Sequence, residues 1–362
     1  MEKFKKYATI GLFLLLIFGL LILHIALPDQ ELSYSERRKL ETFPKATLLS
    51  IKDGSFFDDL ESYLLDHFPL RETFRGIKAD LHFDLFRQLD KGGLYQADGH
   101  LMELDPVLDE KQLALAINKI NAVISAHPEA ASYYFSIIPD KNYFLASKNG
   151  YPSMDYEKLI SSAKDGVPAA YIDILPLLSL SDYYNTDSHW KQENILPVAE
   201  KLLAEMGNLP RKRSYTTHEL EGYFGVYAGQ AAVSVPADTL RYLTDNVTEN
   251  ALVTSLEQDS PLSVYSEADF KNVDPYDVYL SGAEALLTIE NPLAENEKHL
   301  ILFRDSFGSS IAPLLMGEYS RITVVDLRYI RSDLLSEYLD FTGADVLFLY
   351  STGILNNGAI LK

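Results

Sequence analysis

Residues 300–308, "LILFRDSFG", decide how the chain is expected to fold. The apolar run 300–303 predicts a buried strand, and "SSIAPLLMGEY" (residues 309–319) predicts a helix directly after it. Ser306 lies in the sharp turn between them, so its hydroxyl is expected at the carboxyl end of a sheet, where open α/β sheets bind ligands. Gly308 lets the backbone approach a substrate, and N–H groups at the helix start offer an oxyanion site. The alternative interpretation of Ser306 is a helix N-cap.

A second motif supplies the partners that a nucleophilic serine needs. In "YYNTDSHWKQENILPVAEKLL" (residues 183–203), Asp187 precedes His189 by two positions, just before a helical pattern. A serine hydroxyl is a weak nucleophile and requires a base, which is usually a histidine whose second nitrogen is held by an acid. The alternatives for His189 are a surface histidine or a satisfied core histidine. A metal site is disfavoured, because the chain has no His-x-x-x-His pair and Asp-x-His supplies only two ligands.

Short apolar, β-rich runs alternate with helical patterns through the C-terminal part of the chain. Such uninterrupted strands between helices are typical of a parallel sheet covered on both faces, and therefore of the α/β class. The predicted strands are "SYYFSII" (132–138), "AAYIDI" (169–174), "HLILF" (299–303), "RITVVDL" (321–327) and "DVLFLY" (345–350). The clearest predicted helices are "DEKQLALAINKINAVISAHPE" (109–129) and "KQENILPVAEKLLAEMG" (191–207).

The first 28 residues predict a membrane anchor. Three lysines precede an apolar run from about residue 8 to residue 27, and twenty helical residues span ~30 Å, the thickness of a bilayer core. The run is longer than the apolar region of a signal peptide and lacks an A-x-A cleavage site. Because positive charge stays inside, residues 29–362 are expected outside the cytoplasm. The alternative is a cleaved signal peptide, and either interpretation exports the domain.

Three further regions follow the anchor at residues 1–28. Residues 29–95 predict a juxtamembrane region of two amphipathic helices broken near Pro69. Residues 96–362 predict the α/β domain, beginning with a hairpin whose turn is Asp98-Gly99. Within it, residues 211–295 are more polar and irregular, and are expected to form an insertion.

Composition excludes several classes of function. The chain has 362 residues, a net charge of −20 and no basic cluster beyond its first residues, which argues against nucleic acid as a partner. It has no cysteine, so thiol nucleophiles, thiolate metal sites and disulfides are excluded. Its 47% hydrophobic and 12% aromatic content is sufficient for a large core.

Taken together, "DSHW", "RDSFGSS" and the juxtamembrane "SYSERRKLETFP" segment resemble the DHHW family, which is similar to the SGNH-hydrolase-like proteins of alginate O-acetylation. The resemblance runs from about residue 33 to the end. It implies an SGNH-hydrolase-like parallel sheet flanked by helices, with permuted motif order because Asp-x-His precedes the serine. It further implies Ser306 as nucleophile, His189 as base and Asp187 as its orienting acid. Ser188 departs from the family motif, at a position that the Asp-x-His chemistry does not use.

Three other residues are candidates for substrate or oxyanion binding, alongside Gly308. Lys141 in "IIPDK" resembles the Pro-x-Lys segment of the relatives. Arg328 in "VVDLRY" follows a strand end and could bind a sugar carboxylate or an acyl oxygen, the alternative being a salt bridge with Asp326 or Glu337. Tyr350, which ends the last strand, is a candidate of the same kind.

The expected function is extracytoplasmic O-acylation, most simply O-acetylation, of a cell-surface polysaccharide. An acyl-serine would carry the group, no metal or other cofactor is implied, and the family context implies a membrane-bound O-acyltransferase as donor partner. Two alternatives remain. The same residues could hydrolyse a carbohydrate acetyl ester, or the domain could be a non-catalytic polysaccharide-binding or scaffold subunit.

Overall fold

The computed structural model describes residues 2–85, 90, 92–209 and 211–362. The chain forms two compact units. The first comprises Met1–Lys91 with Gly229–Ser234, and the second comprises Gly92–Ala228 with Val235–Lys362.

The first unit begins with an apolar helix, α1 (Glu2–Ala26). Its mean hydropathy reaches 2.6 over 18 residues, so it is long and apolar enough to cross a membrane. Two amphipathic helices, α3 and α4, are separated at Pro69, as the sequence predicts. The remaining elements of this unit are short. The bounds are β1 (Leu32–Ser33), β2 (Arg38–Lys39), α2 (Leu48–Asp53), α3 (Ser55–Asp66), α4 (Arg71–Asp80) and a π-helical turn, Leu81–Leu85.

The second unit is built on a seven-stranded sheet whose order is β6-β5-β13-β11-β12-β10-β9. Neighbouring strands from β6 to β12 run parallel, whereas β10 and β9 add antiparallel strands at one edge. The predicted α/β class with a mainly parallel sheet is confirmed. The seven strands are β5 (Ser132–Ile138), β6 (Ala170–Tyr171), β9 (Leu252–Ser255), β10 (Leu286–Glu290), β11 (His299–Arg304), β12 (Arg321–Val325) and β13 (Asp345–Ser351).

Both faces of this sheet are covered, which explains the unbroken apolar runs 300–303 of β11 and 346–350 of β13. Leu300 and Leu302 of β11 belong to one hydrophobic core, and Ile301 and Phe303 belong to the other. Successive side chains of a strand point to opposite faces, so a strand between two cores needs an apolar residue at each position. β11 is therefore a central, rigid support for the turn that follows it.

Helices and two hairpins surround the sheet. The predicted hairpin is confirmed, since β3 and β4 pair around Asp98 and Gly99, both of which have positive φ. A second hairpin, β7 with β8, lies in the segment expected to be an insertion. That segment also supplies β9 and β10, so part of it belongs to the main sheet. The bounds are β3 (Leu94–Ala97), β4 (His100–Glu103), β7 (Thr216–Tyr223), β8 (Asp238–Thr244), α5 (Glu110–Ala126), α6 (Lys141–Leu145), α7 (Tyr156–Gly166), α8 (Leu196–Glu205), α9 (Val226–Ala231), α10 (Asn246–Asn250), α11 (Gly308–Leu315), α12 (Leu335–Tyr338) and α13 (Thr352–Leu355).

Candidate active site

Ser306 lies in the turn between β11 and α11, at the carboxyl end of the central strand. The preceding residue, Asp305, is 1% exposed and braces this turn through its side chain. One carboxylate oxygen accepts a hydrogen bond from the backbone N–H of Phe307 at 3.0 Å, and the other accepts from the N–H of Ser351 at 2.8 Å. The nucleophile candidate is therefore held by its own strand and by the end of β13.

Asp187 and His189 lie in a tight loop that reaches the same end of the sheet. An antiparallel bridge between Tyr183 and Trp190 closes the loop, and the Tyr184 N–H donates to the His189 carbonyl at 3.0 Å. The indole N–H of the buried Trp190 donates to the Phe307 carbonyl at 3.2 Å. Trp190 thus ties the Asp-x-His loop to the residue that follows Ser306.

The three residues singled out in the sequence form one hydrogen-bonded chain. His189 Nε2 lies 2.7 Å from Ser306 Oγ, and His189 Nδ1 lies 2.5 Å from Asp187 Oδ1. Asp187 is fully buried and also accepts from the His189 backbone N–H at 3.0 Å. A carboxylate at Nδ1 favours the tautomer with its proton there, which leaves Nε2 free to accept the serine proton.

Residues of the predicted insertion hold Asp187 from its other side, a role that the sequence did not reveal. The N–H of Val226 donates to Asp187 Oδ2 at 2.9 Å, and the N–H of Gly225 donates to Thr186 Oγ1 at 2.8 Å. A Cβ at position 225 would lie 2.2 Å from Asp187 Cβ, so only glycine lets the chain pass here. In the sequence, the signal for this close approach is Gly225, the second glycine of "EGYFGVYAGQ" (residues 221–230).

The Asp238 side chain supports the preceding part of the same loop. Its carboxylate accepts from the backbone N–H of Asn185 at 3.0 Å and from that of Thr186 at 2.8 Å. It also accepts from the Thr186 hydroxyl at 2.7 Å. The backbone leading into Asp187 is thereby fixed by a buried carboxylate at the start of β8.

A cavity of about 210 Å³ opens beside Ser306. The cavity is lined by the end of β4, the start of α6, the Asp-x-His loop, the turn that carries Ser306, and α13. The lining residues are Met102, Glu103, Asp140, Lys141, Asn142, Ser188, Tyr227, Asp305, Ser306, Phe307, Ser351, Gly353 and Ile354. Within the described ranges, no group of three or more His, Asp or Glu side chains is arranged to hold a metal ion. The chemistry that the side chains offer here is nucleophilic and acid–base.

Lys141 lines this cavity, as a substrate-binding residue would, but its ammonium group is already engaged. Nζ donates to the carbonyl oxygens of Leu101, Tyr184 and Asn185 at 2.5, 3.0 and 3.3 Å. Burial lowers the pKa of Lys141 to about 7, although the nearby Asp187 carboxylate opposes that shift. The side chain cross-links the hairpin strand β4 to the Asp-x-His loop, so the structure gives it a bracing role.

None of the other three candidates lines the cavity. Arg328 forms a two-pronged ion pair with Asp326, at 2.9 Å from Nε and 2.6 Å from Nη2, which is the salt bridge considered as the alternative. Tyr350 is fully buried in the core. The Gly308 N–H donates to the Asp305 carbonyl at 3.0 Å. A Cβ at Gly308 would lie 2.4 Å from Arg304 Cβ, so this glycine makes room for the buried arginine.

The fold is similar to the α/β folds of several solved structures. The structure is similar to that of a DHHW family protein from Eubacterium siraeum, with a TM-score of 0.59 and 20% identity over 75% of this chain and 94% of that one. It is similar to Bacillus cereus PatB1, with a TM-score of 0.62 and 18% identity over 74% and 98% of the two chains, and PatB1 has also been solved with a sulfonyl adduct. The O-acetyltransferase domain of Pseudomonas putida AlgJ matches with a TM-score of 0.43 and 11% identity over 73% and 92%. No protein-family model and no curated protein matches the sequence.

Proposed function

We propose that this protein is a serine O-acyltransferase that acetylates hydroxyl groups of a cell-surface polysaccharide. The observation that carries the proposal is the hydrogen-bonded chain from the buried Asp187 through His189 to Ser306, with contacts of 2.5 and 2.7 Å beside a cavity. Such a chain activates a serine for acyl transfer. The motifs that resemble those of alginate O-acetylation proteins direct the choice toward transfer to a sugar.

The reaction proceeds in two half-reactions. In the first, His189 Nε2 takes the proton of Ser306 as the hydroxyl oxygen attacks the acyl carbonyl of the donor. The donor's leaving group then departs with that proton, and an acyl-serine remains. In the second, His189 takes the proton of a sugar hydroxyl, which attacks the acyl-serine, and Ser306 regains a proton as the acylated sugar leaves. Asp187 holds the imidazole and stabilises its cation in both.

We further propose that α1 remains as an anchor, so that the second unit works outside the cytoplasm. Lys3, Lys5 and Lys6 lie at the start of α1, before its apolar run, which favours a cytoplasmic N-terminus. An extracytoplasmic enzyme needs an acyl donor delivered across the membrane. A membrane-bound O-acyltransferase is the class of partner that supplies one, and the acceptor is a glycan of the cell envelope.

The test uses the full-length protein in detergent with an activated acetyl ester and an oligosaccharide acceptor. Acetyl transfer to the sugar that is lost in Ser306→Ala supports the proposal. Hydrolysis without transfer identifies an esterase, and neither activity favours a scaffold subunit. A sulfonyl fluoride should label the wild type at Ser306 and should fail to label Ser306→Ala. Ser188→Ala, which removes another serine from the same cavity wall, is the matched control and should still be labelled.

A further inference from the structure

An aromatic ring from the irregular segment 256–285 lies flat against the imidazole of His189. Tyr276 belongs to a 3₁₀ turn, Pro275–Val278, and is 3% exposed. Its ring centroid lies 3.9 Å from that of His189, and the two ring planes differ by only 9°. Asp187 holds the imidazole by its edge, whereas Tyr276 covers its face. The two contacts together restrict both the tilt and the rotation of the ring.

The position of Tyr276 is set by the helix that follows the nucleophile. Its hydroxyl donates to Ser310 Oγ at 2.8 Å, and the Trp190 indole N–H donates to the same oxygen at 2.8 Å. Burial raises the pKa of Tyr276 well above its usual value, so the phenol stays protonated and remains a donor. Ser310 lies in α11, four residues after Ser306. One helix therefore positions both the nucleophile and the ring that covers its base.

The stacked ring has a chemical consequence because His189 becomes a cation each time it takes a proton. The face of an aromatic ring carries negative potential and attracts a cation that lies over it. The attraction is stronger for the imidazolium than for the neutral imidazole, so it acts when charge develops in the reaction. In a buried site, little water competes with this interaction.

We propose that Tyr276 is a positioning residue that holds the His189 ring in plane and stabilises the imidazolium formed when Ser306 is deprotonated. The inference rests on the proposed function, because it assigns Tyr276 a part in activating the same serine. It also gives a role to a segment that the sequence left without one.

The experiment compares Tyr276→Leu, which removes the ring, with Tyr276→Phe, which keeps the ring and removes only the hydroxyl. The readout is the rate at which a sulfonyl fluoride labels Ser306 in the full-length protein, since Ser306 Oγ displaces fluoride while His189 takes the proton. Tyr276→Leu should label about 10-fold more slowly, a change within the range of cation–π contacts. Tyr276→Phe should stay within about threefold of the wild type, because the stacked face remains.

Tyr242→Leu is the matched control. Tyr242 belongs to the same tyrosine cluster and stacks on a different histidine, His218, with centroids 4.7 Å apart and planes 5° apart. Its loss should leave the labelling rate within about threefold of the wild type. A second readout is the NMR shift of the His189 ring protons, which the current of a stacked ring moves upfield. That shift should be present in the wild type and in Tyr276→Phe.

Several outcomes would overturn the inference. These are a wild-type rate in folded Tyr276→Leu, an equally slow Tyr276→Phe, an equal loss in Tyr242→Leu, or no upfield shift of the wild-type His189 protons. If Tyr276→Leu does not fold, the labelling rates and the His189 ring-proton shifts of the wild type and of Tyr276→Phe still test the inference. A wild-type protein that takes no label contradicts the proposed function instead, and the NMR shift then tests the stacking separately.

Discussion

Three donors converge on the carboxylate of Asp187, two from His189 and one from Val226. A buried carboxylate that receives this many hydrogen bonds has a fixed orientation, and it fixes the imidazole in turn. The Ser306 hydroxyl then meets the one ring nitrogen that is free to accept a proton. These hydrogen bonds make the three side chains one functional unit, so the replacement of one of them should impair the function of the other two.

Substitutions at Ser306 and His189 should therefore not be additive. In the proposed mechanism both act in one covalent step, so Ser306→Ala, His189→Ala and the double variant should each lose about 10⁴-fold or more of the transfer rate. Asp187→Asn should lose less than either, since it disturbs the tautomer and the charge but leaves the nucleophile and the base in place. Initial rates of acetyl transfer with a synthetic donor provide the measurement. Losses that multiply in the double variant would show that the two residues act independently.

Gly225→Ala should reduce the proposed transferase activity although Asp187, His189 and Ser306 are all kept. The new Cβ would lie 2.2 Å from Asp187 Cβ and 2.5 Å from the Thr186 carbonyl oxygen, so the loop must move. Displacement of a catalytic group by about 1 Å can cost up to ~100-fold, and we expect a loss of about 10- to 100-fold. Gly76→Ala is the control, because its Cβ would meet nothing closer than 3.8 Å. Equal transfer rates in the two variants would contradict the role of Gly225.

At the scale of elements, the sequence predicts what depends on local pattern. The runs that become β5, β11, β12 and β13 can be predicted as strands because most positions of a strand between two cores are apolar. The serine turn can be predicted because it directly follows such a strand, and the Asp-x-His loop because it precedes a helical pattern. The direction of β10 cannot be predicted from the sequence, because side chains alternate between the two faces of the sheet in parallel and antiparallel strands alike.

The contacts that complete the site arise from residues far apart in the chain. Tyr276 reaches His189 across 87 positions, and nothing in "DPYDVY" marks it as a partner of a histidine. Arg328 has the residue type and strand-end position of a ligand-binding arginine, but its guanidinium forms an ion pair with Asp326, two residues earlier. Such choices between near and distant partners depend on tertiary packing, which a single sequence does not display.

A histidine at the start of β11, next to β12, should make the stability of the fold depend on pH. His299 begins β11, and its Nε2 lies 2.9 Å from Thr323 Oγ1 of β12. Burial, with a smaller effect from Arg321, lowers the pKa of His299 to about 4 from the model-peptide value of 6.5. Between these values the unfolded chain binds a proton that the folded chain does not, so stability is lost as pH falls through 6.5 toward 4.

Replacing His299 by Gln should remove this part of the pH dependence and keep a side chain that can bond to Thr323. The drop in melting temperature between pH 7 and pH 5 should be smaller in His299→Gln than in the wild type, with the other histidines common to both proteins. An identical drop would mean that His299 titrates alike in the folded and unfolded chains.

At the scale of the whole molecule, the first question is whether α1 stays attached. A helix of 25 residues whose mean hydropathy reaches 2.6 over 18 of them can span a bilayer, and the sequence after it lacks a small-residue cleavage site. Protein purified from membranes should therefore retain residues 1–28, as measured by intact mass and N-terminal sequencing. A mature N-terminus near residues 27–30 would instead identify a cleaved signal sequence and a released enzyme.

The charge of the molecule bears on the choice of acceptor. The net charge is −20, and Lys141, the one Lys or Arg among the described residues that line the cavity, is bound to three carbonyl oxygens. Glu103 lines the same cavity. A polymer of uronic acids would approach against this field, whereas a neutral glycan would not.

Acetyl transfer to a neutral oligosaccharide should therefore depend little on salt, and transfer to a uronate oligosaccharide should rise as salt is added. The range of the repulsion shortens from about 30 Å at 0.01 M to about 8 Å at 0.15 M ionic strength, so most of the rise should occur between these concentrations. Glu103→Gln should improve the uronate acceptor and leave the neutral one nearly unchanged, because it removes one negative charge from the cavity wall. Competition between the two acceptors in one reaction measures the preference directly. A uronate acceptor that is preferred at low salt and weakened by added salt would require a cationic binding surface outside the cavity, and would refute the charge argument.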